Sequence, residues 1–374
     1  MARPSPAIGG SAACGRIAVD LYPFLRVYEG GHIERLVRST AAVAASHDGT
    51  TAVRPARNEV TTRDVVIDEG TGASARLFLP GGAAGDGRFG GGRRLPLVLY
   101  FHGGAFVTGS AFGRLFHRYA ASLAARAGAL VVSVEYRLAP EHPLPAAFVD
   151  GWAALRWATS LDDPWVARYA DPMRVFLTGE SAGATIAHNV AVRAAGPDGD
   201  DIDIEGMALL QPCFWGAKWL PSEEAASKRD EPPMLAPVRL DALWPYVTAG
   251  AAGNDDPRID PPAEEVSSIP CRRVLVAVAE KDVLSDRGRR YAAQLRCGGG
   301  REVTLVESDG EDHCFHLYRP ARASAVELMD RVAEFISPTS CLQLQKQELH
   351  GRRRTLHHGN TAASSSGLAI NSIN

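Results

Sequence analysis

The sequence is poor in cysteine, in net charge and in long apolar runs, and each shortage argues against a class of protein. Its 374 residues include six cysteines, none of them in C-x-x-C spacing, which argues against a disulfide scaffold and a zinc site. The formal net charge is −3, whereas a dedicated nucleic-acid binder is normally strongly basic. No apolar run approaches the ~20 residues needed to span a bilayer. We therefore expect no nucleic-acid partner, no membrane partner and no metal site.

The chain also lacks a secretory pattern. Residues 1–20 contain prolines, glycines and alanines but no leucine-rich core, and the sequence has no N-x-S/T glycosylation sequon. Sparse, scattered cysteines suit a reducing compartment, where thiols act as small buried hydrophobes. These features predict a cytoplasmic protein. Because residues 1–19 contain no acidic side chain, an organelle transit peptide stays open as the alternative.

What the sequence does contain is a regular alternation of short apolar runs with amphipathic stretches. This rhythm implies parallel strands joined by right-handed crossovers, hence an α/β fold with helices on both faces of the sheet. Residues 64–68 and 75–79 flank a glycine-rich turn and predict an antiparallel hairpin that begins an eight-stranded sheet. The further predicted strands are 96–101, 130–134, 175–178, 207–211, 274–279 and 303–306, and the predicted helices include 112–127, 145–160 and 182–194.

Three segments do not follow this rhythm. Residues 1–60 lack clear periodicity although they contain several aromatic side chains, and residues 212–270 are rich in proline, acidic residues and tryptophan. Loops this long in a compact domain are usually functional lids or disordered insertions, and the tryptophans favour lids. The composition turns polar after Ser337 and no apolar period survives. We therefore predict one domain over residues 1–336 and a disordered tail over 337–374.

The strongest chemical signal is the pentapeptide G-E-S-A-G at 179–183. It follows the predicted strand 175–178 directly and opens the predicted helix 182–194. This is the context of a nucleophile elbow, a tight turn with small neighbours that lifts the Ser181 hydroxyl clear of the sheet. The helix N-terminus would also favour negative charge developing beside that serine. A chance match in a glycine-rich chain is the alternative, and the flanking strand and helix count against it.

A second glycine motif, H-G-G-A-F at 102–106, follows the predicted strand 96–101. Glycines at this position allow consecutive backbone N–H groups to point into the crevice at the carboxyl edge of the sheet. Together with the N–H of Ala182, such groups form an oxyanion hole. An ordinary glycine turn is the alternative for this motif taken alone.

A serine nucleophile needs a base, and the base needs an orienting carboxylate. His313 follows a glycine turn after the last predicted strand and is the first candidate for the base, with His316 as the alternative. Asp282 follows the penultimate predicted strand and is the first candidate for the acid. Asp286, one helical turn later, is the runner-up. His188 lies in the helix of the elbow and is expected to be structural.

Together these motifs resemble those of plant carboxylesterases in the hormone-sensitive-lipase-like group of α/β-hydrolases. The resemblance covers roughly residues 19–337 and includes the segment E-Y-R-L-A-P-E-H-P at 135–143. It implies an α/β-hydrolase fold whose cap comes from the N-terminal segment, about 1–60, and from an insertion after the sixth strand, about 212–270. It also implies a serine esterase that acts on small carboxylic esters and needs no metal or organic cofactor.

The same resemblance implies roles for individual residues. Ser181 is the nucleophile, His313 the base and Asp282 the orienting acid. The implied oxyanion-hole donors are the amides of Gly103, Gly104 and Ala182. Two positions depart from the family pattern: Ala105 replaces the third glycine of the usual H-G-G-G, and Glu180 stands where many members have aspartate.

Two aromatic residues are candidates for the walls of an apolar substrate pocket. Phe106 lies beside the oxyanion motif and Trp215 follows the sixth predicted strand. A place in the hydrophobic core is the alternative for each. A G-x-G-x-x-G match at 85–90 runs into a strand instead of opening a helix, so it fails the dinucleotide-binding pattern.

Two rival functions share these motifs. Gibberellin receptors have the same fold and both glycine motifs but lack the catalytic histidine, so His313 favours an enzyme over a hormone binder. Relatives with dehydratase or acyl-transfer chemistry keep the whole triad, and the sequence leaves that alternative open.

Overall fold

The predicted alternation of strands and helices is present throughout the part of the chain that the structure describes. The structure is a computed structural model, and it describes residues 15–37, 41–47, 59–81, 94–197, 199, 202–229 and 235–337. The strands are β1 Ile17–Leu21, β2 Leu25–Tyr28, β3 Ile33–Arg35, β4 Val60–Asp68, β5 Ala73–Pro80, β6 Leu95–Phe101, β7 Leu130–Glu135, β8 Ala170–Glu180, β9 Ile204–Leu210, β10 Arg273–Ala279 and β11 Glu302–Ser308. The helices are α1 Arg114–Ala127, α2 Ala146–Ser160, α3 Pro164–Tyr169, α4 Ala182–Ala194, α5 Pro221–Ser227, α6 Pro237–Val247, α7 Ala263–Ser268, α8 Ser285–Cys297, α9 Phe315–Tyr318 and α10 Ala323–Ile336.

Eight strands form one sheet in the order β11-β10-β9-β8-β6-β7-β5-β4. Strands β6 to β11 pair in parallel, whereas β5 pairs antiparallel with both β4 and β7. The prediction of an eight-stranded, mostly parallel sheet that begins with an antiparallel hairpin is therefore confirmed. The chain runs from β6 to β7 on one side and returns to β8 on the other. The carboxyl ends of β6 and β8 thus flank a switch point, where open α/β sheets bind ligands.

Helices cover both faces of this sheet because its strands are apolar on both sides. Within β6, Leu97 and Leu99 belong to one hydrophobic core, whereas Val98 and Tyr100 belong to the other. Helices α2, α4 and α8 bury side chains in the first core, and α1 and α10 bury theirs in the second. A strand that is buried on both faces reads as a continuous apolar run, which is how these strands were predicted.

The sequence prediction missed the N-terminal sheet. Strands β1, β2 and β3 form a separate three-stranded antiparallel sheet within the stretch predicted to lack periodicity. These strands have five, four and three residues, and few of their side chains are buried. Strands so short and exposed carry too little alternation to be detected.

In its described residues, the insertion between β9 and β10 contains three helices that were not predicted, α5, α6 and α7. Helix α6 contacts β1, and the Arg239 guanidinium of α6 stacks on the ring of Tyr22 at 4.9 Å. The N-terminal sheet and the insertion therefore touch each other. The 85–90 match and the predicted tail beyond Ser337 lie outside the described residues. None of the helices that the structure describes has the length and hydropathy to cross a membrane.

Candidate active site

Ser181 lies in a strained turn between β8 and α4. Its φ is +53° and its ψ −122°, a conformation that non-glycine residues rarely adopt. A Cβ on Gly183 would lie 2.0 Å from the carbonyl oxygen of Phe101, and one on Gly179 would lie 2.5 Å from the carbonyl carbon of Gly183. The two glycines are therefore needed for β6, β8 and α4 to approach this closely. The turn has the geometry expected of a nucleophile elbow.

The structure brings Ser181, His313 and Asp282 together in one hydrogen-bonded row. The Nε2 atom of His313 lies 2.9 Å from the Ser181 Oγ, and its Nδ1 atom lies 2.7 Å from the Asp282 Oδ2. The other carboxylate oxygen of Asp282 accepts a hydrogen bond from the Leu284 amide at 3.0 Å. All three side chains are buried. The row has the arrangement of a nucleophile, a base and an orienting acid.

Two opposing effects act on the pKa of His313. Burial is the largest single effect and lowers the pKa, but the adjacent Asp282 carboxylate and the neighbouring Cys314 together outweigh it and raise the pKa well above its ordinary value. An imidazolium that forms at this position is therefore stabilised. That is the electrostatic requirement for a histidine that takes a proton from serine.

The alternatives for the base and the acid lie elsewhere. His316 is buried against Tyr119, and neither of its ring nitrogens has a hydrogen-bond partner among the described residues. Burial lowers the pKa of His316 to about 3, so its ring is neutral. Asp286 pairs with Arg289 on α8 at 2.7 Å. Among the described residues, no hydrogen bond joins His316 or Asp286 to Ser181, His313 or Asp282.

The oxyanion loop comprises residues 103–109 after β6. Its hydrogen bonds show that one of the predicted oxyanion-hole donors is wrong. The Gly103 N–H donates to the Glu180 Oε1 at 2.6 Å, so it is already committed to a side chain. The amides of Gly104, Ala105 and Ala182 donate to no acceptor among the described residues. The prediction of Gly104 and Ala182 is compatible with this geometry, whereas Ala105 replaces Gly103 as the candidate third donor. The sequence cannot show this, because it does not reveal which amide a side chain occupies.

Glu180, which stands where many family members have aspartate, lies directly beside the oxyanion loop. Its carboxyl group is fully buried, and burial raises its pKa to about 8, although the Gly103 amide opposes the rise. His102 lies beside it, with Nδ1 2.7 Å from the Gly103 carbonyl oxygen, and stacks on Tyr136 with ring centroids 4.3 Å apart. Burial lowers the pKa of His102 to about 4. Two uncharged rings and a buried carboxyl group thus support the first residues of the oxyanion loop.

A cavity of about 200 Å³ opens above Ser181. Its wall comprises Pro23, Phe24, Val37, Gly103, Gly104, Thr108, Gly109, Ser110, Gly113, Leu115, Phe116, Ser181, His313, Cys314, Leu317 and Tyr318. None of these described residues is Asp, Glu, Lys or Arg. The N-terminal segment therefore supplies part of the cavity wall, and the cavity suits an uncharged, largely apolar group.

The predicted pocket walls Phe106 and Trp215 do not line this cavity, and that prediction is corrected. Phe106 is completely buried and packs edge-on against Phe148 and Trp244, the latter in α6. Trp215 is also buried and donates its indole N–H to Asp241 at 2.7 Å. Both side chains belong to the hydrophobic core, where their large apolar surfaces are covered.

His188 lies outside the row of three residues and is packed among aromatic side chains. The Nδ1 atom of His188 is hydrogen-bonded to the Tyr291 hydroxyl, 3.0 Å away, and the ring packs edge-on against Phe214. This environment is the one expected of a structural histidine. No group of three or more His, Cys, Asp or Glu side chains is arranged to hold a metal ion in the part of the chain that the structure describes.

Comparisons with known proteins agree with this fold. A family with the α/β-hydrolase fold matches residues 98–317. The chain is 38% identical over 334 residues to a 2-hydroxyisoflavanone dehydratase from Glycyrrhiza echinata, covering 85% of this chain and 95% of the relative. It is 34% identical over 329 residues to the probable carboxylesterase 2 of Arabidopsis thaliana, covering 86% and 97%. The solved structure of EstE1, a thermostable carboxylesterase cloned from a metagenomic library, matches with a TM-score of 0.62 and 29% identity, covering 75% of this chain and 89% of the other.

Proposed function

The chain belongs to the α/β-hydrolase family, and from that premise we propose that it is a serine carboxylesterase that hydrolyses small, uncharged carboxylic esters. The single observation that carries this proposal is the hydrogen-bonded row from Ser181 through His313 to Asp282. The apolar cavity above Ser181 supports an uncharged substrate. The cytoplasmic location stays a prediction.

In the proposed reaction, His313 accepts the Ser181 proton at Nε2 while the serine oxygen attacks the ester carbonyl carbon. The Asp282 carboxylate holds the Nδ1–H of the ring and stabilises the imidazolium that forms. The tetrahedral intermediate collapses when His313 returns the proton to the alcohol oxygen, which leaves an acyl group on Ser181. A water molecule then attacks the acyl group while His313 accepts its proton. The second tetrahedral intermediate collapses when His313 gives this proton to the Ser181 oxygen, and the acid is released.

The negative charge that develops on the carbonyl oxygen needs hydrogen-bond donors. We assign this role to the amides of Gly104, Ala105 and Ala182, because these donors lack another acceptor among the described residues. Ala182 is the first residue of α4, so the positive end of the helix dipole adds to the same effect. Each such donor typically contributes about 3–4 kcal/mol to the transition state.

A dehydratase activity is the second candidate, because one relative at 38% identity bears that name. Elimination of water also needs a base at the substrate, and His313 is the group that would take the proton. The hormone-binding alternative is less well supported, since the row of three residues is complete. A hormone binder has no use for a histidine whose ring is aligned by a buried carboxylate.

The test is hydrolysis of p-nitrophenyl acetate and butyrate by the wild type, by Ser181→Ala and by Ser133→Ala. Ser133 is a buried serine of β7 that does not line the cavity, so its variant is a matched control. We expect Ser181→Ala to lose about 10⁴-fold or more in kcat and the control to retain it. Equal turnover by the wild type and Ser181→Ala contradicts the proposal. Water loss from a 2-hydroxyisoflavanone with no ester hydrolysis would favour the dehydratase.

A further inference from the structure

The oxyanion loop has an unusual backbone. Four of its residues have positive φ: Gly104 at 119°, Ala105 at 55°, Phe106 at 63° and Gly109 at 101°. Two of these are not glycine, so the conformation is strained and persists only where neighbouring groups hold it. The direction of the Gly104 and Ala105 amides therefore depends on what the loop is bonded to.

Groups outside the N-terminal segment hold the loop at Gly103 and at Phe106. The Glu180 carboxyl group accepts from the Gly103 amide at 2.6 Å, and the Phe106 carbonyl oxygen accepts from the Ala139 amide at 2.9 Å. Within the loop, the Gly104 carbonyl oxygen accepts from two later amides. None of these bonds reaches the Val107 carbonyl oxygen.

Arg35, at the end of β3 in the N-terminal sheet, supplies that missing bond. Its Nε donates to the Val107 carbonyl oxygen at 2.7 Å and its Nη2 to the Ala139 carbonyl oxygen at 3.3 Å. The same guanidinium pairs with both oxygens of Glu141, at 3.0 and 2.5 Å. One planar side chain thus joins the oxyanion loop to the segment after β7, using the fork of donors that only arginine has.

A second bond from the same segment reinforces the first. The Thr108 hydroxyl donates to the Val37 carbonyl oxygen at 2.6 Å. Residues 36 and 37 follow β3 directly, and the Leu36 amide donates to the Phe24 carbonyl oxygen at 2.8 Å. Phe24 and Val37 both line the cavity. The part of the N-terminal segment that faces the substrate is therefore continuous with the part that holds the loop.

Arg35 forms an ion pair with Glu141 and hydrogen bonds to backbone carbonyl oxygens, and the two kinds of interaction differ in how much they stabilise the structure. The Arg35 and Glu141 side chains are 30% and 49% exposed, and an ion pair so accessible to water contributes little. The bonds to the carbonyl oxygens of Val107 and Ala139 are part-buried, and they fix backbone that would otherwise relax. The role of Arg35 must therefore lie in the backbone contacts.

We propose that Arg35 is a positioning residue of the esterase reaction, which holds the oxyanion loop in its active conformation from the N-terminal sheet. The inference rests on the proposed function. It makes the N-terminal segment, which lines the cavity at Pro23, Phe24 and Val37, a support of the oxyanion loop as well. Since the oxyanion forms only in the transition state, loss of Arg35 lowers kcat more than it changes KM.

The test compares kcat and KM for p-nitrophenyl acetate in the full-length wild type, Arg35→Ala, Arg35→Lys, Glu141→Gln and Arg272→Ala. Arg272 forms an exposed ion pair with Asp203 at the amino-terminal edge of the sheet, far from Ser181, and is the matched control. We expect Arg35→Ala to lower kcat about tenfold or more, with KM within about twofold. Arg35→Lys should recover part of the loss, because lysine reaches one carbonyl oxygen but not two. Glu141→Gln should stay within about twofold of the wild type.

Two results overturn the proposal: a kcat for Arg35→Ala equal to that of Arg272→Ala, or a rise in KM with kcat unchanged. Should Arg35→Ala fail to fold by circular dichroism, Arg35→Lys carries the test, and an unchanged kcat there overturns it. Failure of the proposed function looks different, because the wild type would then match Ser181→Ala before any Arg35 variant is compared. In that case the inference falls with it.

Discussion

Ser181 lies between two halves of the site that are held in different ways. On one side, Asp282 and His313 are positioned by direct side-chain hydrogen bonds at the ends of β10 and β11. On the other side, the oxyanion loop offers backbone amides, and its strained conformation depends on groups from elsewhere, Glu180 and Arg35 among them. On the base side, meaning Asp282 and His313, the geometry follows from the identity of the side chains. On the oxyanion side, meaning the oxyanion loop, it follows from the groups that orient the backbone.

The largest effect is expected on the base side, from Asp282→Asn. The amide cannot hold the ring of His313 in the correct tautomer, so we expect kcat to fall about 10⁴-fold. The wild-type kcat/KM should rise with pH as His313 loses its proton, with a midpoint above the ordinary histidine pKa because Asp282 raises it. Without the carboxylate, the ring loses the largest of the effects that raise its pKa, so the midpoint should move to lower pH.

A profile of kcat/KM against pH for both proteins checks this expectation. Asp286→Asn is the matched control, since Asp286 pairs with Arg289 and does not contact His313. Its activity and pH midpoint should match the wild type. A midpoint that stays in place in Asp282→Asn would show that another group limits the reaction.

A smaller effect is expected on the oxyanion side, from Glu180→Ala. The change leaves the Gly103 amide without its acceptor and frees the start of the loop, so we expect kcat to fall about 10²-fold. Glu180→Gln keeps a carbonyl oxygen at the same place and is the control, with kcat within a few fold of the wild type. Equal losses in the two variants would mean that the buried carboxyl group, and not the bond to Gly103, matters.

The same residue links stability to pH. Since burial raises the Glu180 pKa from 4.5 to about 8, the folded chain holds a proton there that the unfolded chain releases between those values. The contribution of Glu180 to stability is therefore complete at low pH and is lost as pH rises, by up to about 1.4 kcal/mol per pH unit. Urea denaturation across this range should show the wild type losing stability relative to Glu180→Gln. Parallel curves would contradict the shifted pKa.

The difference between the two halves also explains how much the sequence could predict. The G-E-S-A-G turn directly follows an apolar strand, and Asp282 and His313 lie in the short segments after β10 and β11. Parallel strands bring their carboxyl ends to one edge of the sheet. The central sheet was predicted for the same reason. Gly103 was predicted as a donor from the resemblance to plant carboxylesterases, whereas glycine motifs by themselves show only where a backbone turns. They do not show which backbone amide donates a hydrogen bond to the Glu180 carboxyl group.

The remaining errors have a related physical origin. Phe106 and Trp215 were predicted as pocket walls, but a sequence does not distinguish an aromatic side chain in the core from one in a cavity. Arg35 belongs to a three-residue strand with no detectable periodicity, and its bonds reach residues more than seventy positions away. Contacts between distant segments arise from the packing of the N-terminal sheet on the loop, which no local pattern specifies.

The smallest effect on activity is expected from His316→Phe. This variant tests whether the base side depends on any histidine other than His313. His316 lies three residues from His313, yet it is buried against aromatic rings and both ring nitrogens lack partners among the described residues. Phenylalanine removes these unpaired polar atoms while it keeps the ring, so we expect unchanged kcat and about 1 kcal/mol of added stability. Thermal denaturation and the p-nitrophenyl acetate assay measure both quantities. A large loss of kcat would give His316 a part in the reaction and would show that the base side, like the oxyanion loop, depends on a residue beyond its own hydrogen-bonded row.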